Sequence, residues 1–442
     1  MSPAIDRTSF SLPLSRRGFL RAAGGTALAA AAGGALTACG GDDDQGSATK
    51  ELSLVYMGTA EEQAAWNKLF AKFTEKHPEI KLKAEGVPGP GWGEFFNKLS
   101  TRLAGGQVPD VIQVATEGQR LFASKGLLAP LDDYIAKDQA VIDEYYADLD
   151  PNLIEWNKKY SSTDGKTYYL PGEFNTMCMW YSKDLFAKAG VPEPTARWTW
   201  DDFRTACEQI KAKTGAFGYA AGPEYFAAIM PWLLTNGTSS FSDDWSTPTL
   251  NDAKAIEAAE FNRALVADKL SPPPGGQFDA PTALAQGKLA MFGGGRWPII
   301  SIRNLKAQTR TGIVPWPTKV EQGSPVGWNG YPIMKASKKK DDAWTFVKFL
   351  ISAEGSSFFA QLGGTIVPAR KSIANSKSFL DNAPKGTESL YQALSYATPI
   401  PSPDKGTAVQ KAIEDGWKQV LTGNASPADA LGKAQTALEG LV

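Results

Sequence analysis

The chain has little of the two residues that most often build catalytic and metal centres. Its 442 residues include one histidine and three cysteines. Histidine-based acid–base catalysis and zinc coordination need such side chains in clusters, so we expect neither, and we expect no cofactor and no metal ion. The single histidine lies in Glu75-Lys76-His77-Pro78, at the end of an amphipathic stretch. It is interpreted as a surface residue at a helix terminus.

An excess of positive charge is missing as well. The 46 lysines and arginines nearly cancel the 47 aspartates and glutamates. A compact basic cluster, Lys338-Lys339-Lys340, is followed directly by Asp341-Asp342. A protein that neutralises phosphates needs a concentrated positive patch. The composition therefore argues against nucleic acid as a partner.

Long apolar runs are absent after residue 38. A membrane-spanning helix needs about 20 strongly apolar residues, so the mature body is expected to be soluble. The N-terminal apolar run is mostly alanine and glycine and ends at Cys39.

The N-terminal residues carry two export motifs. Ser15-Arg16-Arg17-Gly18-Phe19-Leu20 resembles the twin-arginine signal, and Leu36-Thr37-Ala38-Cys39 resembles a lipobox, where a signal peptide is cut and the new N-terminal cysteine takes up lipid. We expect residues 1–38 to be a signal peptide, and residues 39–50 to be a lipidated cysteine with a flexible tether. The protein would then work at the extracellular face of the cell membrane. An ordinary transmembrane anchor and a general secretory signal stay open as alternatives.

Lipidation of Cys39 would leave two cysteines, Cys178 and Cys207. An exported protein can join such a pair in a disulfide. Two small buried thiols explain the residues equally well, and the sequence leaves both alternatives open.

Strand-like and helix-like patterns alternate at the start of the mature chain. Residues 52–57, 80–84 and 109–114 have the length and apolar pattern of strands, and amphipathic helical patterns separate them. This order predicts a parallel sheet covered by helices. A mature chain of about 400 residues exceeds what one hydrophobic core usually serves, so two lobes are expected. Later helices are predicted at 200–213, 253–268, 341–362 and 406–421.

Thirteen tryptophans and thirteen tyrosines are present, and several lie in segments rich in glycine and proline. These side chains offer a flat apolar face with a polar tip, which suits ligands that are part apolar and part hydroxylated. The composition thus hints at sugar binding.

Four separated stretches make the chain similar to a known family, the carbohydrate-binding extracellular solute-binding proteins of ABC importers, which include the maltose-binding protein. They are Gly105-Gly106-Gln107-Val108-Pro109-Asp110-Val111, residues 168–203 from Tyr168-Tyr169-Leu170-Pro171 to Trp198-Thr199-Trp200-Asp201-Asp202-Phe203, residues 287–297, and residues 343–370. Their order and spacing cover nearly the whole mature chain.

The resemblance implies a two-lobed α/β periplasmic-binding-protein fold of type II, with hinge strands and a ligand cleft between the lobes. The first lobe would contain residues 51–172 and 326–372, and the second lobe residues 173–325 and 373–442. It also implies a monomer that is not an enzyme. Such a protein binds a carbohydrate and delivers it to the permease subunits of an ABC transporter.

Aromatic site residues follow from the same resemblance. Trp297 comes after a glycine turn and falls on the family's sugar-stacking Gly-x-Trp position, although a core tryptophan is the alternative. In Pro223-Glu224-Tyr225-Phe226, Glu224 and Tyr225 resemble an acidic residue and a tyrosine that approach the sugar. We expect one of the two aromatic residues there to be a core residue.

Polar candidates lie at the predicted hinge crossings. Glu173 and Asn175 follow the Leu-Pro step at the first crossing, and the sequence does not decide which of them is the hinge ligand. Trp328 and Asn329, between glycines at the second crossing, are expected to line the cleft.

Other candidates lie near strand ends. Glu117 soon follows the third strand, at the edge where open α/β sheets bind ligands, and Thr59 and Glu61 follow the first strand. The maltose-binding protein has an Asp-Lys pair at this last position, so maltose itself is in doubt. Trp92, after a Pro-Gly-Pro-Gly stretch, is a cleft or surface residue.

Two other functions remain open. An exported glycoside hydrolase would need two carboxylates about 5–9.5 Å apart, and composition does not exclude them. The same fold could also bind a non-sugar solute such as a polyamine, a phosphorylated compound or a peptide. The neutral charge balance and the many tryptophans favour a neutral sugar.

Overall fold

The computed structural model describes residues 50–58, 60–89, 91–275 and 278–442. The predicted signal peptide, Cys39 and Thr59 lie outside the described residues. In the described part of the chain, no helix is both long enough and apolar enough to span a bilayer.

Eleven strands and eighteen α-helices are found in the described ranges. The strands are β1 (Lys50–Met57), β2 (Ile80–Val87), β3 (Val111–Ile112), β4 (Glu173–Thr176), β5 (Cys178–Ser182), β6 (Phe217–Tyr219), β7 (Leu289–Gly294), β8 (Thr311–Val314), β9 (Ser324–Asn329), β10 (Val367–Pro368) and β11 (Ala397–Pro399). The helices are α1 (Ala60–Lys76), α2 (Trp92–Ala104), α3 (Asp132–Lys137), α4 (Gln139–Ala147), α5 (Pro151–Tyr160), α6 (Lys183–Ala189), α7 (Trp200–Thr214), α8 (Met230–Thr235), α9 (Ala253–Ala267), α10 (Ala280–Ala285), α11 (Ile299–Asn304), α12 (Lys340–Ile351), α13 (Ala353–Gln361), α14 (Lys371–Ala374), α15 (Lys377–Leu380), α16 (Ser389–Gln392), α17 (Gly406–Leu421) and α18 (Pro427–Glu439).

The first sheet has the predicted parallel arrangement, in the order β2-β1-β3. Leu52 and Leu54 of β1 are both fully buried, as expected for apolar residues two apart on one face of a strand. On α2, Phe95, Phe96 and Leu99 form the buried face. We call the part of the molecule around this sheet the first lobe.

A second sheet, in the order β6-β7-β5-β8, lies in what we call the second lobe. β5 runs antiparallel to both β7 and β8, whereas β6 runs parallel to β7. α7 begins with a capping box, in which Thr199 and Asp202 each bind the other's backbone N–H. Cys178 and Cys207 are both free and buried here, which decides against a disulfide. Burial raises the pKa of both thiols.

A third sheet, in the order β10-β4-β9-β11, links the lobes. β4 pairs antiparallel with β9, and one residue, Met177, separates β4 from β5. The hydroxyl of Ser324 holds this crossing point, since it accepts from Met177 N at 2.8 Å and donates to Met177 O at 3.0 Å. The predicted crossings near 171–173 and 323–325 fall at the starts of β4 and β9.

Two predictions from the later sequence need correction. Residues 373–394 were assigned to the second lobe, but this stretch contacts both lobes. α14 and α15 contact α13 of the first lobe, whereas Lys385 pairs with Gly312 of β8 in the second lobe. The helices of this stretch are too short to show a periodic pattern. The helix predicted over 341–362 is broken, because Ser352 ends α12 and caps α13 by accepting from Gly355 N.

Candidate ligand-binding site

Helix α17 of the second lobe lies against the first lobe. A Cβ at Gly406, the first residue of α17, would lie 2.6 Å from the carbonyl oxygen of Glu117, in the turn after β3. Four residues further on, Gln410 Oε1 would lie 3.4 Å from a Cβ at Gly93, near the start of α2. The glycine at the start of α17 therefore permits a close approach of the two lobes.

Glu117 is a buried carboxylate at this approach, with 8% of its surface exposed. Burial, and to a smaller extent the charge of Glu414, raise its pKa to about 7. Its Oε2 makes no hydrogen bond with any described residue. A buried carboxylate oxygen without a partner costs free energy, so this group is incomplete within the protein alone.

Several polar atoms around Glu117 share this property. Ser402 Oγ would lie 2.5 Å from a Cβ at Gly406. Asn329 precedes Gly330, whose N–H donates to Val114 O at the end of the first sheet. In the described part of the chain, the following buried atoms have no hydrogen-bond partner: Gln119 Oε1 and Nε2, Asn329 Nδ2, Ser402 Oγ and Gln410 Oε1. Both lobes thus supply unsatisfied polar groups.

Glu414 and Glu224 add two more carboxylates on the second-lobe side. Glu414 Oε1 accepts from Tyr225 N at 3.0 Å and from Gln410 Nε2 at 2.9 Å. Glu224 is exposed to solvent as a residue. Neighbouring protein atoms still displace water from its carboxyl and raise its pKa, and the charge of Glu414 acts in the same direction. Neither Glu414 nor Gln410 was predicted, because polar residues four apart on an amphipathic helix look like an ordinary solvated face.

An exposed aromatic surface lies beside these groups. Trp297 has 39% of its surface exposed, and its ring centroid is 6.4 Å from that of Phe226. A Cβ at Gly295 would lie 2.5 Å from the Trp297 ring and 2.7 Å from Asn175 Oδ1. That oxygen accepts from Arg296 N at 2.9 Å. The structure therefore brings together Trp297 and Asn175 and adds Phe226, which was not among the predicted site residues.

Tyr225 is a core residue, which corrects its predicted role. Its side chain is buried, its hydroxyl lies 2.6 Å from Ser240 Oγ, and it donates to Pro401 O at 3.3 Å. The neighbouring Phe226 is the partly exposed ring. One of the two had to be buried, and the sequence alone did not say which.

Trp328 is also a core residue and does not line a cleft. It is fully buried, and its indole N–H donates to Asn157 Oδ1 at 3.0 Å. Glu173, at the start of β4, is buried as well and accepts from the Tyr331 hydroxyl at 3.0 Å. Burial raises the pKa of Glu173 to about 7.

Two predicted residues lie at helix starts. Trp92, at the first position of α2, is half-buried and stacks on Phe96 with 5.7 Å between ring centroids. The next residue, Gly93, is the one whose added Cβ would lie 3.4 Å from Gln410 Oε1 of the second lobe. Glu61 lies in the first turn of α1.

The lobes meet a second time at Trp245, a residue that no sequence motif singled out. Trp245 has φ 63°, a left-handed conformation that is rare and strained for a bulky residue. Its ring stacks on Tyr160 of the first lobe, 4.3 Å between centroids and 16° between planes. Arg120 lies 5.1 Å from the same ring, and the Tyr160 hydroxyl donates to Asp243 O at 2.7 Å.

A cavity of about 260 Å³ lies between the lobes at α1, α11 and the end of α13. Trp66, Phe359 and Ile300 form apolar walls, and Arg303 and Glu62 supply the charged groups. Thr365 donates to Glu62 Oε1 at 3.2 Å. The cavity borders the N-terminal part of α1, where the sequence placed Thr59 and Glu61.

Comparison with known proteins gives the class. A profile of the family described as bacterial extracellular solute-binding protein matches residues 58–356. The chain therefore belongs to the bacterial extracellular solute-binding proteins. This class binds solutes and is not enzymatic, which removes the glycoside hydrolase alternative.

Particular relatives agree with this class. A binding protein of Brucella abortus is 27% identical over 380 residues, covering 82% of this chain and 84% of that protein. An ABC substrate-binding protein from Listeria monocytogenes, in complex with cycloalternan, superposes with a TM-score of 0.78 at 25% identity, covering 89% of this chain and 99% of that one. The GacH receptor of Streptomyces glaucescens, solved unliganded and with acarbose, gives a TM-score of 0.75 at 26% identity, covering 89% and 98%. The predicted periplasmic-binding-protein fold is confirmed.

Proposed function

We propose that this protein is the extracellular sugar-binding component of an ABC importer, held to the membrane by lipid on Cys39. It binds a sugar or oligosaccharide between its two lobes and delivers it to the membrane permease. One observation carries this proposal: buried polar atoms from both lobes lack partners beside the exposed rings of Trp297 and Phe226.

The chemistry of these groups matches a carbohydrate. Sugar rings present apolar C–H faces that pack on aromatic rings, and their hydroxyls both donate and accept hydrogen bonds. The residues proposed to contact the ligand are those that surround the lobe contact at α17: Trp92, Glu117, Asn175, Glu224, Phe226, Trp297, Asn329, Gln410 and Glu414.

The relatives support the same ligand class. One similar structure was solved in complex with cycloalternan and another in complex with acarbose. A lactose-binding protein of Rhizobium radiobacter is 24% identical over 287 residues. These ligands belong to those proteins, and what is carried over to this chain is the ligand class, a carbohydrate.

Delivery would depend on closure of the lobes about the linking strands β4 and β9. A site between lobes can bury most of a small ligand and still open to admit it. Hinge closure is the established behaviour of periplasmic binding proteins. The permease would recognise the closed, ligand-bound conformation.

Calorimetric titration of the mature protein with glucose, maltose, lactose and maltotriose tests the proposal. At least one sugar should bind, and chromatography of the mixture should show unchanged sugar. A ligand present at a hundred times its Kd should also raise the free energy of unfolding by about 2.7 kcal/mol. Failure of every tested carbohydrate to bind would contradict the proposal.

The lipid anchor is tested separately. A Cys39→Ala variant should leave the membrane fraction and appear in the medium while still binding sugar. Continued membrane retention of this variant would show that Cys39 does not anchor the protein.

A further inference from the structure

Three glutamates lie where α17 contacts two other elements, the turn after β3 and the helical turn Tyr225–Ile229. Glu117 lies in the turn after β3, Glu224 precedes the helical turn Tyr225–Ile229, and Glu414 lies on α17. The hydrogen bond from Tyr225 N to Glu414 Oε1, 3.0 Å, fixes Glu414 beside residue 224. Burial raises the pKa of Glu117 and of Glu224, and the charge of Glu414 acts in the same direction on both.

Basic side chains near this cluster bind other groups within the described part of the chain. Burial raises the pKa of Glu414, and the charge of Lys411 acts against this. No basic side chain forms an ion pair with Glu117, Glu224 or Glu414 within the described ranges. Lys411, the neighbour on α17, pairs instead with Asp415 at 2.6 Å. Arg120 is directed to Trp245 and donates its Nε–H to Tyr160 O at 3.1 Å. The three carboxyl groups thus have no ion-pair partner among the described residues, and above the Glu117 pKa of about 7 the cluster is negatively charged.

The unsatisfied atoms next to the carboxylates include acceptors that require a donor. Glu117 Oε2 and Gln410 Oε1 have no partner in the described part of the chain, and Glu117 is more than nine-tenths buried. A hydroxyl can donate one hydrogen bond, whereas an ammonium group donates three and carries a positive charge. Charge-assisted hydrogen bonds to carboxylates are about twice as strong as neutral ones.

A metal ion does not fit this arrangement. In the described part of the chain, no group of three or more acidic, histidine or cysteine side chains is arranged to hold one. Glu224 stands two residues before Phe226, whose ring centroid lies 6.4 Å from that of Trp297. An organic cation that also has an apolar ring face suits both features.

We infer that the solute is an amino sugar, whose protonated amine binds among Glu117, Glu224 and Glu414 while its ring packs on Trp297 and Phe226. This inference rests on the proposed function and narrows its ligand class. A linear polyamine shares the ammonium chemistry but has no ring face for the aromatic pair.

Matched sugars that differ only at carbon 2 test this inference by calorimetry at about pH 7.4. At this pH Glu117, whose pKa is about 7, is mostly ionised, and an amine with a pKa of about 7.7–8.0 is still mostly protonated. The probes are glucose, glucosamine and N-acetylglucosamine, together with the β-1,4 dimer of each. Maltose and lactose serve as neutral references, and putrescine serves as the linear amine. We expect the glucosamine compounds to bind at least tenfold more tightly than their hydroxyl and acetylated counterparts, and more tightly than putrescine.

Two variants test whether the three glutamates cause the preference for an amine over a hydroxyl. Glu117→Gln and, as a second variant, Glu414→Gln should reduce the amine-over-hydroxyl ratio to about threefold or less, with folding checked by the thermal transition. The matched control is Glu155→Gln, an exposed glutamate on α5, which should keep the wild-type ratio.

The outcomes separate the two proposals. Equal or tighter binding of the hydroxyl or acetylated sugar, of maltose or of lactose overturns the amino-sugar inference and leaves sugar binding standing. Tighter binding of putrescine than of every sugar overturns the inference in favour of a polyamine. If no probe binds, the proposed function and the inference fail together.

Discussion

The two lobes touch in two regions of opposite character. At Trp245 the contact is complete: a buried indole stacks on Tyr160, Arg120 covers it, and the Tyr160 hydroxyl has its acceptor. At Glu117 the contact is incomplete, because buried polar atoms on both lobes lack partners. The first region needs nothing more to be stable, whereas the second requires polar groups from another molecule.

The electrostatics differ in the same way. Asp244, next to Trp245, accepts from Ser242 Oγ and from the backbone and hydroxyl of Ser246, and these bonds lower its pKa to about 2. Burial instead raises the pKa of Glu117 to about 7. Only the contact at Glu117 should therefore change its charge near neutral pH.

The largest expected effect is on the complete contact. Trp245→Ala removes a buried, stacked indole and should lower the free energy of unfolding by about 3–4 kcal/mol, as tryptophan truncation in a core does. Trp245→Phe, which keeps a stacking ring, should lose less than half of this. Thermal and denaturant unfolding without ligand measure both, and an unchanged Trp245→Ala protein would show that this contact does not hold the lobes together.

The next effect concerns pH at the incomplete contact. The folded protein binds the Glu117 proton more tightly than the unfolded chain, so stability falls as pH rises from about 4.5 to about 7. Over this pH range Glu117 alone should lower the free energy of unfolding by about 3 kcal/mol. Glu117→Gln should flatten the pH dependence of the ligand-free unfolding free energy by about this amount.

Glu173→Gln is a matched comparison for that experiment. The pKa of Glu173 is also raised to about 7, so this variant should remove a similar share of the slope. An unaltered slope in Glu117→Gln would mean that Glu117 stays accessible to solvent and charged across this range.

A third expectation concerns the aromatic surface. Trp297→Ala should weaken sugar binding about a hundredfold, or about 2.7 kcal/mol, and leave the thermal transition nearly unmoved because the ring is 39% exposed. Trp297→Phe should recover part of the affinity. A collapse of stability in Trp297→Ala would instead identify Trp297 as a structural residue.

The smallest expected effect tests directly whether the buried polar groups near Glu117 lack partners in the ligand-free protein. Ser402→Ala removes a buried hydroxyl that has no partner among the described residues. Stability without ligand should stay the same or rise slightly, since an unpaired polar group is lost. Sugar affinity should fall about threefold to tenfold by titration. A clear loss of stability would show that the hydroxyl is already satisfied in the free protein.

Much of the fold could be predicted from local patterns. The strands around Leu52 and Leu54 are apolar on a period of two, and their alternation with amphipathic helices determines a parallel sheet. Trp297 could be selected as a candidate because a run of glycines precedes it. In that position the backbone must pass close to Asn175, which a side chain at Gly295 would prevent.

What the sequence did not indicate depends on contacts between distant residues. Glu414 reaches the site only because α17 crosses onto the first lobe through Gly406. The glycines on either side of Trp328 and Asn329 suggested an open cleft. In fact Gly330 makes room for Tyr169, whose ring would lie 2.2 Å from an added Cβ. Glycines beside a tryptophan can accompany either a buried or an exposed ring, and only the tertiary structure shows which is the case.

The hydroxyl of Ser324 sits where the two central linking strands meet the second sheet, bonded on both sides to the backbone of Met177. Two hydrogen bonds at that point oppose translation of one strand along the other but allow rotation. The lobes would therefore rotate about a fixed point. A small rotation at the linking strands then moves the outer surfaces of the lobes by a much larger distance. A receptor that binds those surfaces can therefore detect a bound ligand without contacting it.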